Sequence, residues 1–305
     1  MVDTYTLYDI AIIGAGPAGM ASAIQAGRHG QSVVIIDKEN YGGQMIWAPK
    51  IENYPGFTKT SGQKLTNYFY NQMMSYSTVT HKVGRAVLIK YNRGIFMTYL
   101  EDRTVVSSRS IVVATGTDIK PYSLATKNIY YTAVGLKPIL KNKKMVVLGS
   151  NNIAANNARE LATYCEHVYI CDSTFEMQCE YSFIKELAAN EKISFLPNCK
   201  IKAFNTDAEG NLTAVILDTL AVIETAGLLV AEERLPQADF TTVFTDRDAN
   251  GFIITDKNGK TGQVPGVFAA GDCKNKKYKR VFTAVYDGIM AANEAIDFVK
   301  AQKAK

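Results

Sequence analysis

The chain has 305 residues, 47% of them hydrophobic and 21% charged, a composition that supports two ordinary α/β cores and excludes disorder along its length. No run approaches the roughly 18 consecutive apolar residues of a membrane span, and the first residues lack the basic-then-apolar pattern of a secretory leader, so a cytoplasmic location is expected. A net charge of +5 is too mild to imply nucleic acid, five cysteines without a C-x-x-C give neither a disulfide framework nor a zinc site, and three scattered histidines give no metal site.

Tyr8 to Ile13 reads as a short buried strand. Gly14-Ala15-Gly16-Pro17-Ala18-Gly19 follows and opens an Ala-rich helix to His29, with Gly30 placed to cap it. A second strand, Ser32 to Ile36, ends in Asp37, about twenty residues after the glycines, where a carboxylate can accept ribose hydroxyls. Gly14 permits a tight turn, Gly16 lets backbone approach a pyrophosphate, and Gly19 lets helix and strand pack closely. A dinucleotide's phosphates would then sit on the helix N-terminus. Strand, turn, helix, strand and acid all fall where such a site needs them.

Farther along, Ile111-Val112-Val113 is a buried-type strand ending in the small residues Ala114-Thr115-Gly116. A matching strand, Val267 to Ala270, ends in Gly271-Asp272 and is followed by a helix from about Thr283 to Lys300. A Gly-Asp at a strand's C-terminal end can present backbone and carboxylate together to a ribityl chain and a pyrophosphate.

These segments, with Gly42-Gly43-Gln44, Glu52-Asn53-Tyr54-Pro55-Gly56-Phe57 and Pro265-Gly266, occur in an order that resembles the low-molecular-weight thioredoxin reductases and their relatives over nearly the whole chain. The resemblance implies an α/β fold of two Rossmann-like, three-layer ββα dinucleotide-binding domains. A discontinuous FAD domain, 1–116 plus 244–305, would be interrupted by a smaller nicotinamide-type domain at 117–243. It also implies a homodimer. The FAD-binding residues carried over are Gly14, Gly16, Pro17, Ala18, Gly19, Asp37, Lys38, Gly43, Gln44, Asn53, Ala86, Ala114, Thr115, Gly116, Gly271, Asp272, Lys279, Arg280, Val281 and Thr283.

The pattern breaks at two places. The family's redox-active Cys-x-x-Cys aligns with Thr132-Ala133-Val134-Gly135, and neither threonine nor glycine has an accessible redox couple. The second nucleotide turn reads Gly149-Ser150-Asn151-Asn152-Ile153-Ala154, with Asn151 in place of the middle glycine. Asparagine tolerates a left-handed backbone, so the turn is expected to survive, but its side chain occupies space that a pyrophosphate needs. Asp172 stands where NADPH-dependent members place basic residues for the 2′-phosphate, and an acid there repels phosphate and suits a free ribose.

Other residues admit two readings each. Cys171 and Cys179 flank Asp172 as a candidate second redox pair, against the plainer reading of two small buried hydrophobes. Cys273 is read as structural. Trp47 is either a cover over the isoalloxazine ring or a core-filling aromatic. Lys274, Lys276, Lys277, Lys279 and Arg280 give five basic residues in seven positions. Lys279 and Arg280 are assigned to the cofactor, and Lys274, Lys276 and Lys277 to solvent, where they would steer an acidic electron carrier.

The resulting expectation is an FAD oxidoreductase with neither dithiol nor usual NADPH site, passing electrons between FAD and a partner such as ferredoxin or flavodoxin. It resembles the ferredoxin-linked branch of the family, whose members keep the dithiol. Two alternatives stay open at this point. One is a flavoenzyme that uses NADH or a second dinucleotide, such as a second FAD, in the inserted domain. The other is a non-catalytic flavin-binding sensor.

Overall fold

The computed structural model describes residues 6–119, 126–231 and 234–304. The chain divides into two compact units, Met1–Asp118 with Leu235–Lys305, and Ile119–Arg234. Among the described residues no helix is long and apolar enough to cross a membrane, and no group of His, Cys, Asp or Glu could hold a metal ion.

The discontinuous unit opens with β1 (Leu7–Ile13), α1 (Pro17–Arg28) and β2 (Val33–Asp37), as the periodicity requires. It continues through α2 (Gly62–Met74), β3 (Val79–Val83), β4 (Ala86–Asn92), β5 (Ile95–Leu100) and β6 (Val105–Val113). These strands form one sheet in the order β3-β2-β1-β6-β5-β4, and the late strand Val267–Ala269 also pairs with β6. The long β6 serves two neighbourhoods. Its first half joins β5 and β4 in an antiparallel meander, and its second half lies parallel to β1 and to Val267–Ala269.

Register then places the site. Ile13 lies beside Ile36 and Val113, and Val113 beside Ala269. The turns after β1, β2, β6 and Val267–Ala269 therefore emerge together at the C-terminal edge, where ligands bind in doubly wound sheets. The central strands are buried on both faces and read as continuous apolar runs, with Ile10, Ile12, Ile35 and Ile111 fully buried. Each such side chain contributes roughly 1.5–3 kcal/mol.

Two helices cover one face. The C-terminal helix, Val281–Lys303, buries Ala284, Asp287, Gly288, Ala291, Ala292, Ala295, Ile296 and Val299. Small residues on this stripe let it lie close against α1: a Cβ on Gly288 would stand 2.2 Å from the Ala18 carbonyl oxygen. Ser22 of α1 donates its hydroxyl to Gly288 O at 2.8 Å, fixing the crossing.

The inserted unit repeats the design. Ile193–Leu196, His167–Cys171, Lys144–Leu148, Leu228–Val230 and Ile129–Tyr130 form a five-stranded sheet in that order, and every pairing is parallel. Helices Asn152–Ala162 and Tyr181–Ala188 pack with it, and a three-stranded antiparallel sheet runs through Ile201–Thr206, Leu212–Leu217 and Val222–Glu224. Each unit thus has the strand, glycine turn, helix, strand order of a dinucleotide fold.

Candidate functional site: two dinucleotide turns, one open and one closed

At the first turn Gly14 has φ +109°, which glycine adopts without strain, and a Cβ there would lie 2.3 Å from the Ala114 carbonyl oxygen. Gly19 is equally constrained, since its Cβ would stand 1.8 Å from Gly14 O. Gly16 differs. Its backbone is extended (φ −77°, ψ −174°), and the nearest atom to a Cβ would be the Gly43 Cα, at 4.0 Å. The space over Gly16 is open. The first turn of α1 has Pro17 near its start, no acidic residue and no side-chain cap, so its free amides face that opening.

Several of the other predicted residues lie around this point. Gly42 N–H donates to Ala15 O at 2.8 Å, bringing the Gly43 backbone against Gly16. Gln44 Nε2 donates to Thr117 Oγ1 at 2.8 Å and also to the Thr117 carbonyl. Asp37 accepts Ala15 N–H at 2.6 Å through Oδ2 and Glu39 N–H at 3.0 Å through Oδ1, which leaves a lone pair on each oxygen for a ribose. Lys38 pairs with Asp118 at 2.7 Å and lines a cleft of about 430 Å³ with Val83, Gly84, Arg85, Glu101 and Asp102. Ala86 is half-buried at the start of β4 beyond that cleft. Gly271 packs against Ala18, with a Cβ on it 2.8 Å from the Ala18 methyl. Val281 packs against the core, and Thr283 Oγ1 accepts Arg280 N–H at 3.1 Å. Asn53 and Arg280 are exposed.

Two buried oxygens in the cluster lack a hydrogen-bonding partner of their own. Thr115 Oγ1 accepts no hydrogen bond and faces the Cys273 sulfur, whose own hydrogen is directed at the Val113 and Ala270 carbonyls. Asp272 Oδ1 is ion-paired with the Lys276 ammonium at 3.3 Å without a well-aligned hydrogen bond, and burial raises the Asp272 pKa against the pull of that lysine. Trp47 ends the short 3-10 turn Gly43–Trp47 and is 51% exposed, which removes the core-filling reading of its indole.

The inserted unit's turn superposes in kind and differs in content. Gly149 has φ +112°, matching Gly14, and Asn151 has φ −77° and ψ 180°, matching Gly16. The expected left-handed asparagine is not found, because the left-handed position belongs to Gly149 and any residue can adopt the backbone of Asn151. Its side chain makes the difference. Asn151 Oδ1 accepts the amides of Ile153 at 2.8 Å and Ala154 at 3.0 Å, and its Nδ2 donates to Ala231 O at 2.7 Å. The amides that stand free at α1 are here taken by the protein itself.

The loop after Asp172 closes on the same turn. Gln178 N–H donates to Ser150 O at 3.0 Å, and Asn152 and Glu180 exchange two hydrogen bonds of 2.9 Å. Asp172 Oδ1 accepts Thr174 N–H at 2.8 Å, the same turn that Asp37 makes with Glu39. Thr132 Oγ1 accepts Val134 N–H at 3.2 Å, Asn157 Oδ1 accepts Ala133 N–H at 2.7 Å, and Tyr164 donates its hydroxyl to Ala133 O at 3.0 Å. The segment expected at the dithiol position is thus a pinned turn. Cys171 lies not with Cys179 but with Cys199, in the apolar cluster beside the antiparallel strands, while Cys179 packs on the opposite cluster. Desolvation pushes both the Cys171 and Cys199 thiols up.

The basic segment also departs from expectation. Lys274 and Lys276 are not solvent-facing: Lys274 is 7% exposed and pairs with Asp287 at 3.1 Å, and Lys276 pairs with Asp287 at 2.7 Å. Lys279 lies 3.4 Å from the Phe252 ring centroid, and desolvation lowers its pKa. Of the five cations only Lys277 and Arg280 are exposed. Asp287 escaped the sequence reading, although one signal was there: a carboxylate on the Ala284, Gly288, Ala291 stripe of an otherwise apolar helix face.

The model of the family described as pyridine nucleotide-disulphide oxidoreductase matches residues 8–295, almost the whole chain. The chain belongs to that family. It is 27% identical to the thioredoxin reductase of Mycoplasma genitalium, over 95% of each chain. A protein named NADH dehydrogenase from Ferdinandcohnia aciditolerans is 29% identical over 96% of this chain and 57% of its own length. The crystal structure of Lactococcus lactis thioredoxin reductase superposes with a TM-score of 0.91 at 27% identity, covering 96% of this chain and 99% of that one.

FAD is the family's cofactor, and the first turn fits it. Uncapped amides over an open glycine, the Asp37 carboxylate and the buried oxygens of Thr115 and Asp272 supply what a pyrophosphate, a ribose and a ribityl chain each require. The residues of the family's flavin site are thus present in this chain. Thr132 and Gly135, expected at the family's disulphide position, hold no thiol.

Proposed function

We propose that this chain is a thioredoxin reductase-like FAD oxidoreductase whose flavin exchanges electrons directly with a partner protein, with neither a redox dithiol nor a nicotinamide in the inserted unit. The observation that carries this reading is the Asn151 side chain, which holds the two amides that a pyrophosphate would take. The pinned turn at Thr132–Gly135 supports it from the disulphide side.

When bound, the FAD supplies one- and two-electron transfer. The chain's own residues do the rest: α1 amides and Gly16 bind the pyrophosphate, Asp37 orients the ribose, and Thr115 and Asp272 hold the ribityl side. Trp47 covers the ring and limits access of water. The partner class is a small acidic carrier of the ferredoxin or flavodoxin type. It would meet the exposed Lys277 and Arg280 and the exposed rings of Tyr278 and Phe282, a smaller basic surface than the sequence suggests. As in the family, the working unit is a cytoplasmic homodimer.

One observation favours a second reading, in which NADH or another dinucleotide enters the inserted unit. Asp172 makes the same backbone turn as Asp37, and so presents a carboxylate suited to a ribose. The relative named NADH dehydrogenase agrees with that alternative.

Anaerobic stopped-flow spectroscopy separates the readings. Photoreduced protein mixed with oxidised ferredoxin or flavodoxin should reoxidise quickly, and more slowly as salt rises, because exposed charges are screened beyond about 8 Å at physiological ionic strength. Fast flavin reduction by NADH would establish the second reading instead. A flavin inert to every carrier and to nicotinamides would leave a binding or sensor protein.

A further inference from the structure

The buried cluster around Asp287 has no place in the electron route above, and its chemistry asks for one. Asp287 sits on the C-terminal helix and is 8% exposed. Its Oδ1 accepts from Lys274 Nζ at 3.1 Å, and its Oδ2 accepts from Lys276 Nζ at 2.7 Å and from Gly271 N–H at 3.2 Å. Lys276 Nζ also lies 3.3 Å from Asp272 Oδ1 and 3.4 Å from Thr283 Oγ1. One carboxylate therefore ties together two ammonium groups, the backbone of the Gly-Asp turn and, through Lys276, the Asp272 carboxylate.

Such a cluster is poorly explained by stability. Removing four charges from water costs about as much as their pairing returns, and apolar residues of similar volume commonly do as well or better. What the cluster does achieve is position and charge balance beside the carboxylate assigned to the ribityl chain. Lys274 and Lys276 balance Asp272 and Asp287, with the half-buried Lys279 acting on Asp272 from outside this quartet, so loss of any one member changes the net charge of a region of low dielectric, where it acts strongly on its neighbours.

We propose that Asp287 is a positioning residue for the flavin: it fixes the Gly271-Asp272 turn and, by balancing Lys274 and Lys276, sets the reduction potential of the bound FAD. The inference rests on the assigned FAD site and not on the identity of the electron partner. A reduced flavin carries more negative charge than an oxidised one, so added positive charge favours reduction and added negative charge opposes it. Asp287→Asn keeps the side chain's shape and an acceptor for Gly271 N–H while adding one net positive charge. Lys274→Met removes a positive charge and leaves Asp287 paired with Lys276. The two variants should move the potential in opposite directions.

The test measures the potential of the holoprotein against reference dyes during slow anaerobic reduction, with bound flavin quantified by absorbance and folding checked by circular dichroism. Asp287→Asn should shift the potential upward and Lys274→Met downward, each by at least a tenfold change in the reduction equilibrium, about 30 mV for two electrons. Asp287→Glu should match the wild type. Because dyes replace the physiological partner, failure of the proposed carrier leaves this result intact. If Asp287→Asn loses its flavin, the other two variants decide: a downward shift in Lys274→Met with Asp287→Glu unchanged supports the assignment. Shifts of the same sign, or unchanged potentials in flavin-loaded variants, overturn it.

Discussion

Replacing Asn151 with Ala should loosen the start of the inserted unit's helix by an amount the geometry sets. The substitution removes a cap that satisfies Ile153 and Ala154 amides, worth about 1 kcal/mol. It also removes the Nδ2 bond to the buried Ala231 carbonyl, worth about 1 kcal/mol more. A total near 2 kcal/mol corresponds to roughly a 30-fold rise in local opening. Hydrogen exchange followed by mass spectrometry on peptides spanning Asn151–Ala162 reads this directly, because opening exposes those two amides to solvent.

The same variant series addresses ligand binding. Asn151→Gly restores the residue type found at Gly16 on the same extended backbone, so the freed amides become available to an anion. NADH at one hundred times its dissociation constant would then return about 2.7 kcal/mol of protection. The wild type should gain none. If exchange at Ile153 and Ala154 is unchanged in Asn151→Ala, or if NADH protects those amides in the wild type, the closed-turn argument is refuted.

Three further outcomes follow from the same geometry. Gly16→Val should fold normally, since φ −77° suits valine and no atom lies nearer than 4.0 Å to its Cβ, yet purify without flavin because the side chain fills the pyrophosphate space; a yellow variant with full flavin content contradicts the site. Reversing Lys274 and Lys276 to Glu should destabilise the discontinuous unit by about 3–5 kcal/mol in thermal or urea melts, as expected for breaking buried pairs, whereas Lys277→Glu should leave the melt unchanged and slow reoxidation by an acidic carrier. Cys165 and Cys273, buried and pushed up to about 11, should resist iodoacetamide at pH 8, where about one thiol in a thousand is ionised, and label only in denaturant; labelling of native protein would contradict their placement.

The open turn was legible in sequence because its demands fall on single residues at fixed offsets. A left-handed φ at Gly14 and a 1.8 Å approach at Gly19 admit little but glycine, and the strand, helix and acid follow at set distances. Asn151 was legible only as an obstruction, because capping depends on where its two polar ends point, and that follows from Ala231 lying across the turn. The basic segment misled for a related reason. Charge density in sequence says nothing of partners, and Asp287 lies about two helical turns beyond Arg280, its carboxylate reaching back to Lys274 and Lys276 while the adjacent Gly288 packs on α1. Cys199 was equally hidden, since the crossover from Asp172 to Lys200 brings it to Cys171 while carrying Cys179 to the other face of the sheet.

In the proposed function electrons do not enter the flavin through a nicotinamide. Anaerobic titration of the oxidised protein with NADH and with NADPH, followed at the flavin's visible absorbance band, tests it most directly, with dithionite as the control that the flavin is reducible. Dithionite should bleach the band while millimolar NADH and NADPH leave it unchanged, and Asn151→Gly should gain an NADH-dependent perturbation. Stoichiometric bleaching of the wild-type flavin by either nucleotide would contradict the proposed function.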